Sequence, residues 1–137
     1  LEPSNLKSMK NEQGVLQQAA HLVSCFAQHD FDKYFECFAD NTVFIFHTTK
    51  NVLNNKLEYQ KEWKNWEKEW DFKVKACHSS NQIVQMYGEV AIFSHTVATT
   101  LNTSDGEKSF TERETIVFQF QNGKWIAVHE HLSPMPE

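Results

Sequence analysis

The dipeptide Asn122-Gly123 constrains this chain more tightly than any other stretch of it. Both residues tolerate the positive φ that the favoured two-residue hairpin turns demand, so the segments on either side must run antiparallel. In the arm after the turn, a strand sends successive side chains to opposite faces. That sets Trp125, Ala127, His129 and His131 on one side and Ile126, Val128, Glu130 and Leu132 on the other. In the arm before it, Ile116, Phe118 and Phe120 alternate with Thr115, Val117 and Gln119. The hairpin therefore has a drier face and a wetter one, and the dry face needs a covering layer.

That cover is encoded upstream. From Glu12 to about Gln28, Val15, Leu16, Ala19, Leu22, Val23 and Phe26 recur at helical spacing. Asp30 reads as the cap of a second, short helix carrying Phe31, Tyr34, Phe35 and Phe38. Asp40-Asn41 marks a turn, and the β-branched and aromatic run Thr42–Thr49 predicts a first strand with His47 near its end. A third helix over Lys56–Glu69 aligns Tyr59, Trp63, Trp66 and Trp70 on one stripe, as core packing or as the wall of a pocket. Asp71–Tyr87 is one long strand bent at a bulge, or two short ones. Val90–Thr103 is a clear strand, and Ser104–Glu107 a turn into Lys108–Gln121. This order is an α+β layout with the helices on one sheet face. Residues 1–10 lack periodicity and read as a loose arm ahead of a single domain over 11–137.

The composition excludes several function classes. A formal charge of −5 and a single arginine, Arg113, remove the electrostatic footprint of a nucleic-acid binder. The lysines of 50–75 are interleaved with Glu58, Glu62, Glu67, Glu69 and Asp71, as on a solvated helix face. No apolar run approaches the roughly 18 residues of a membrane span, so no membrane partner is expected. Cys25, Cys37 and Cys77 are odd in number and embedded in apolar patterns. They read as reduced core thiols of a cytoplasmic protein. No nucleophile motif, phosphate loop or dinucleotide fingerprint occurs, and no cofactor is expected.

Gly123-Lys124-Trp125, Val128-His129, His131 and Ser133 resemble the closing motif of SnoaL-like domains, and the association domain of calcium/calmodulin-dependent protein kinase II ends in a similar run. Ala39-Asp40 with Thr42-Val43, and Gly88-Glu89-Val90-Ala91, extend the resemblance, which covers about Glu12–Pro134. Both families belong to the nuclear-transport-factor-2-like superfamily. The resemblance implies a cone-shaped, curved antiparallel sheet wrapped around the N-terminal helices, a cavity at the open end, and a homodimer or larger ring. It implies no particular reaction, because the fold hosts many. Ketosteroid isomerases resemble this layout, but their general-base Asp and their acidic hydrogen-bond donor fall near Ile45 and Ile116, neither of which moves a proton. The kinase association domain carries an arginine between its second His and the Ser, where this chain has Leu132.

Within such a cone, Phe44, Phe46, Trp63, Trp66, Phe93, Phe118 and Val128 are expected to wall the cavity, with Tyr34, Arg113 and Leu132 also in reach of a small, largely apolar ligand. Glu130 is in phase with the apolar face, where a carboxylate must be paired or protonated. A two-residue turn puts Thr115 opposite Glu130 with Arg113 as its diagonal partner, which gives a salt bridge. A three-residue turn with a bulge at Gly123 puts Glu114 opposite instead, which gives two carboxyls sharing a proton. Such an ion pair is structural, or else Glu130 with His47 and His95 is the acid/base set for a cofactor-independent isomerisation, cyclisation or dehydration. His129 and His131, about 7 Å apart on one face, have the spacing to share a metal with His47 or His95. Polar packing on the outer face is preferred, and no metal is expected. The rival function is a non-enzymatic association module whose outer face bears Trp125, His129 and His131.

Overall fold

The computed structural model describes residues 9–136, so most of the expected arm, residues 1–8, lies outside the described residues. Helix α1 (Glu12–Ala27) starts at Asn11, whose side chain accepts from the Gly14 N–H, and α2 (Phe31–Glu36) starts at Asp30, which accepts from the Lys33 N–H. Strand β1 (Phe38–Phe46) follows, then α3 (Lys56–Trp70), capped by Asn55. The remaining chain is β2 (Lys73–Tyr87), β3 (Val90–Thr103), β4 (Gly106–Gln121) and β5 (Lys124–Pro134). Each helix thus begins on a short polar side chain that satisfies a free backbone donor.

The sheet has five strands in the order β1-β5-β4-β3-β2. It is mixed rather than wholly antiparallel, because β1 pairs with β5 in parallel. Helix α3 carries the chain from β1 to the far edge, and four successive antiparallel strands then bring β5 back alongside β1 in the same direction. The segment 73–87 is a single strand with two register irregularities, between Val74 and Ala76 and between Ser80 and Ile83. The helices cover one face of this sheet. Val15, Ala19 and Leu22 of α1, Phe35 of α2 and Trp63 of α3 are buried against Phe44, Phe93, Phe118 and Trp125.

Asn122 (φ 51°) and Gly123 (φ 79°) form the two-residue turn, with Gln121 opposite Lys124. The ladder runs regularly to Phe118 opposite Ala127, and then Val117 faces His129, leaving Val128 as an extra residue. This β-bulge resets the alternation, as such insertions do. Trp125 and Ala127 point inward before it, and Glu130 points inward after it. The single-phase reading of β5 is therefore corrected: Trp125 is 1% exposed and belongs to the core, not to an outer face shared with His129 and His131. Its Nε1–H donates to the Met9 carbonyl at 2.8 Å, and Lys10 pairs with Glu89 at 2.7 Å, so Met9 and Lys10 are tied to the fold.

Candidate functional site

The covered sheet face and the three helices leave a cavity of about 470 Å³ between them. Its helix side is aromatic, with Phe26, Tyr34, Tyr59 and Trp66. Trp70 and Phe110, 50% and 38% exposed, stand where the cavity opens to solvent. The sheet side carries Cys77, Val97, Thr99 and Leu132, and with them three glutamates, Glu112, Glu114 and Glu130. All three are buried. Burial of acids at such density needs a compensating arrangement.

On β4 the even-numbered residues face inward, so Glu112 and Glu114 continue the line of Ile116 and Phe118 toward the cavity. On β5 the bulge puts Glu130 opposite Ile116, which makes Glu114 its diagonal neighbour on the same face. The two carboxyls are hydrogen-bonded to each other. Burial pushes Glu130 well above the usual carboxylate range, and the charge of Glu114 with the shared hydrogen bond pushes it further. Burial also works against ionisation of Glu114, but hydrogen bonds from Glu130 and His95 outweigh it and hold Glu114 below its ordinary value. Of the two, Glu130 therefore holds a proton more tightly and Glu114 gives one up more readily. Glu130 Oε1 is buried with no hydrogen-bond partner among the described residues.

The ionised partner is held from behind. His95 Nε2 lies 2.6 Å from Glu114 Oε1, and His95 Nδ1 lies 2.5 Å from Ser79 Oγ, which in turn accepts from Gln82 Nε2 at 2.9 Å. With the Nε2–H donating to Glu114, Nδ1 accepts from the Ser79 hydroxyl. A polar chain therefore runs from Glu130 through Glu114, His95 and Ser79 to the exposed Gln82 on the edge strand β2. Glu112 is bonded to His47 instead; burial raises its affinity for a proton, and the His47 hydrogen bond and charge oppose that shift. Opposite the acids, the Tyr34 and Tyr59 hydroxyls meet at 3.0 Å. Burial foremost, and then the charge of Glu130, raises both phenols well above their usual range.

Of the residues expected at a site, Glu130, Tyr34, Phe46, Trp66 and Leu132 line this cavity. His47 and His95 stand one bond behind the wall, on Glu112 and Glu114. Phe44, Trp63, Phe93 and Phe118 are completely buried in the core rather than on the cavity wall, because the helices close over that part of the sheet. Val128 is the bulge residue and lies off the wall. Arg113 is exposed, one position out of phase with Glu112 and Glu114, so the expected Arg113–Glu130 salt bridge does not form. The carboxyl pair forms instead, through a bulge in mid-strand and not through a longer turn. His129 and His131 stay on the outer face with ring centroids 6.5 Å apart, away from His47 and His95, which are engaged inside. Among the described residues, His21, Cys25 and Cys37 are the group whose donor atoms cluster within 4.8 Å.

Glu112 completes the site without having been singled out; Glu114 was expected there only in the register with a three-residue turn, and Tyr59 only on the stripe read as core or pocket wall. The signal for the two acids was parity: counting back by twos from Phe118 reaches both.

The calcium/calmodulin dependent protein kinase II association domain family matches the chain over residues 11–136. No curated protein matches it. Among solved structures, an NTF2-like protein from Cytophaga hutchinsonii superposes with a TM-score of 0.79 at 13% identity, over 93% of this chain and 100% of that one. A nuclear transport factor 2 (NTF2-like) superfamily protein from Salmonella enterica gives 0.77 at 16% identity, over 91% of each chain. A protein from Catenulispora acidiphila solved in complex with S-DNPA gives 0.72 at 11% identity, over 86% of this chain and 88% of that one. At these identities the likeness is one of fold.

Proposed function

The chain belongs to the calcium/calmodulin dependent protein kinase II association domain family, and we propose that its cavity binds a small, largely apolar molecule and exchanges a proton with it through Glu130, without a cofactor. The observation that carries this reading is Glu130: a buried carboxyl on the wall of an aromatic cavity, whose Oε1 has no hydrogen-bond partner among the described residues. A polar atom left unsatisfied in a dry site is destabilising unless a ligand group completes it. A carboxyl raised well above the ordinary range can act as a general acid, and once it gives up its proton beside Glu114 it becomes a strong base. Glu114, held by His95, orients that proton. The chain through Ser79 to Gln82 offers a route for exchange with solvent while the ligand fills the cavity. His47 performs the same holding role for Glu112. The free cysteines suit a reducing, cytoplasmic setting.

Native mass spectrometry of the purified protein tests the reading. A retained small molecule, lost on replacing Glu130 by Gln while the fold persists, is the expected result. A cavity that stays empty, and that no apolar probe perturbs in an NMR titration, would count against it.

A second reading concerns assembly. The sheet face away from the helices carries half-buried Ile45, Ile92, Val117, Ile126 and Val128 around His129. An apolar face of this kind suits a second copy of the chain, as expected of an association domain. We place the homodimer there, on Val117 and Ile126 rather than on Trp125. Burying this face and filling the cavity are compatible, since the two lie on opposite sides of one sheet.

A further inference from the structure

We infer that the ligand of this cavity is an organic ammonium ion, an amine with an aromatic or aliphatic body, whose nitrogen seats between Glu130 and Glu114. This rests on the reading of the cavity as a ligand site and names the chemical class it takes.

The charge inventory of the wall decides the sign of the ligand. Glu112, Glu114 and Glu130 stand together inside, and Asp105 adds a fourth carboxylate near the opening. Among the described residues the one cationic side chain on the wall is Lys108, which is exposed, and Arg113 faces away. A carboxylate or phosphate ligand would be desolvated against like charges with no fixed cation to receive it. A neutral ligand fits the apolar wall but offers the Glu130 carboxyl at best one neutral hydrogen bond. A protonated amine supplies several N–H donors and a full charge, and hydrogen bonds with both partners ionised are the stronger kind.

The donors already present leave room for it. Glu114 uses one oxygen for His95, and Glu112 is occupied by His47, so neither is saturated. Tyr34, Tyr59 and Trp66 line the same space, and aromatic rings attract cations within about 6 Å of the ring centroid. The body of the amine then lies against Phe26 and Phe72. A cavity of about 470 Å³ accommodates a small molecule of this kind. The protons balance in either protonation state. An amine that enters neutral takes the proton of Glu130 on its nitrogen lone pair; one that enters as ammonium displaces that proton to solvent. Both routes end with ionised Glu130 beside R–NH₃⁺.

Three matched probes test the inference on the intact protein by isothermal titration: phenethylamine, phenethyl alcohol and phenylacetate. The amine should bind about tenfold or more tighter than the alcohol, with the carboxylate weakest. Glu130→Gln should remove most of that preference, so that the amine binds no more than about twofold tighter than the alcohol. Glu114→Gln serves as a second variant, expected to weaken the amine selectively. If the alcohol binds as well as the amine, or the amine preference survives both variants, the ammonium assignment falls and the cavity reading stands. If none of the three probes binds, both fall.

Discussion

Glu130 pairs with Ile116 across β4 and β5, one step from Glu114 on the same face, so two buried carboxyls meet where a regular ladder would have set Glu130 opposite Thr115. Glu130 is raised well above the usual carboxylate range and Glu114 held below it, with His95 bonded to Glu114 and the two tyrosine hydroxyls meeting across the cavity.

The raised Glu130 makes stability depend on pH in a definite direction. Glu130 keeps its proton in the folded protein at pH values where the unfolded chain has lost it, because burial and Glu114 raise it. The folded state then binds the extra proton, so stability is full below the ordinary carboxylate range and falls as pH rises toward the raised value. Glu130→Gln, neutral throughout, removes that slope. Across this window the wild type should lose up to about 1.4 kcal/mol per pH unit relative to the variant, measured as urea unfolding at stepped pH. Parallel curves would mean that Glu130 titrates as an ordinary carboxyl.

His95 is a positioning residue whose loss should be costly. In His95→Phe the ionised Glu114 keeps its burial and loses its Nε2–H donor, a change worth about 3 kcal/mol in denaturant unfolding. Ser79→Ala leaves Glu114 and its His95 donor in place, removes the hydroxyl's bonds to His95 Nδ1 and Gln82, and should cost about 1 kcal/mol. Equal losses for the two would contradict the order of the chain.

The cysteines should be inert in the folded protein. Burial pushes both Cys37 and Cys77 up to about 12, and their side chains are almost inaccessible. Iodoacetamide at neutral pH should therefore modify them at a small fraction of the rate seen in denaturant, with mass spectrometry reading the sites. Fast labelling of Cys77 without unfolding would show that the cavity opens far wider than its described state.

Assembly and folding separate at neighbouring residues. Val117→Glu on the outer face should shift sedimentation toward the monomer while leaving the melting behaviour of the monomer intact. Trp125→Ala should instead unfold the domain, costing about 3–5 kcal/mol as buried aromatic truncations do, because Trp125 fills the core and holds Met9. A dimer indifferent to Val117→Glu would place the interface elsewhere.

Much of this was readable from periodicity. The helices begin at Asn11, Asp30 and Asn55 because those side chains cap them, and the apolar stripes of α1 and α3 face the sheet they were expected to cover. The inward position of Glu130 followed from its phase with Leu132. The bulge left no such mark: Val128 is apolar like its neighbours, no glycine or proline flags the insertion, and Trp125 therefore seemed to share a face with His131. The parallel pairing of β1 was equally hidden, since it depends on where a four-strand meander ends and not on any residue within β1. Arg113 was the natural partner for Glu130 by charge, but one residue of slip turns every side chain of a strand to the opposite face.

The extra residue at Val128 also divides β5 into two independently readable halves. Ahead of it, Trp125 and Ala127 answer to the core; beyond it, Glu130 and Leu132 answer to the cavity. For protein engineering the second half is a cassette: positions 130 and 132, with 112 and 114 across the ladder, can be rewritten to change what the pocket accepts while the tryptophan-anchored half keeps the scaffold.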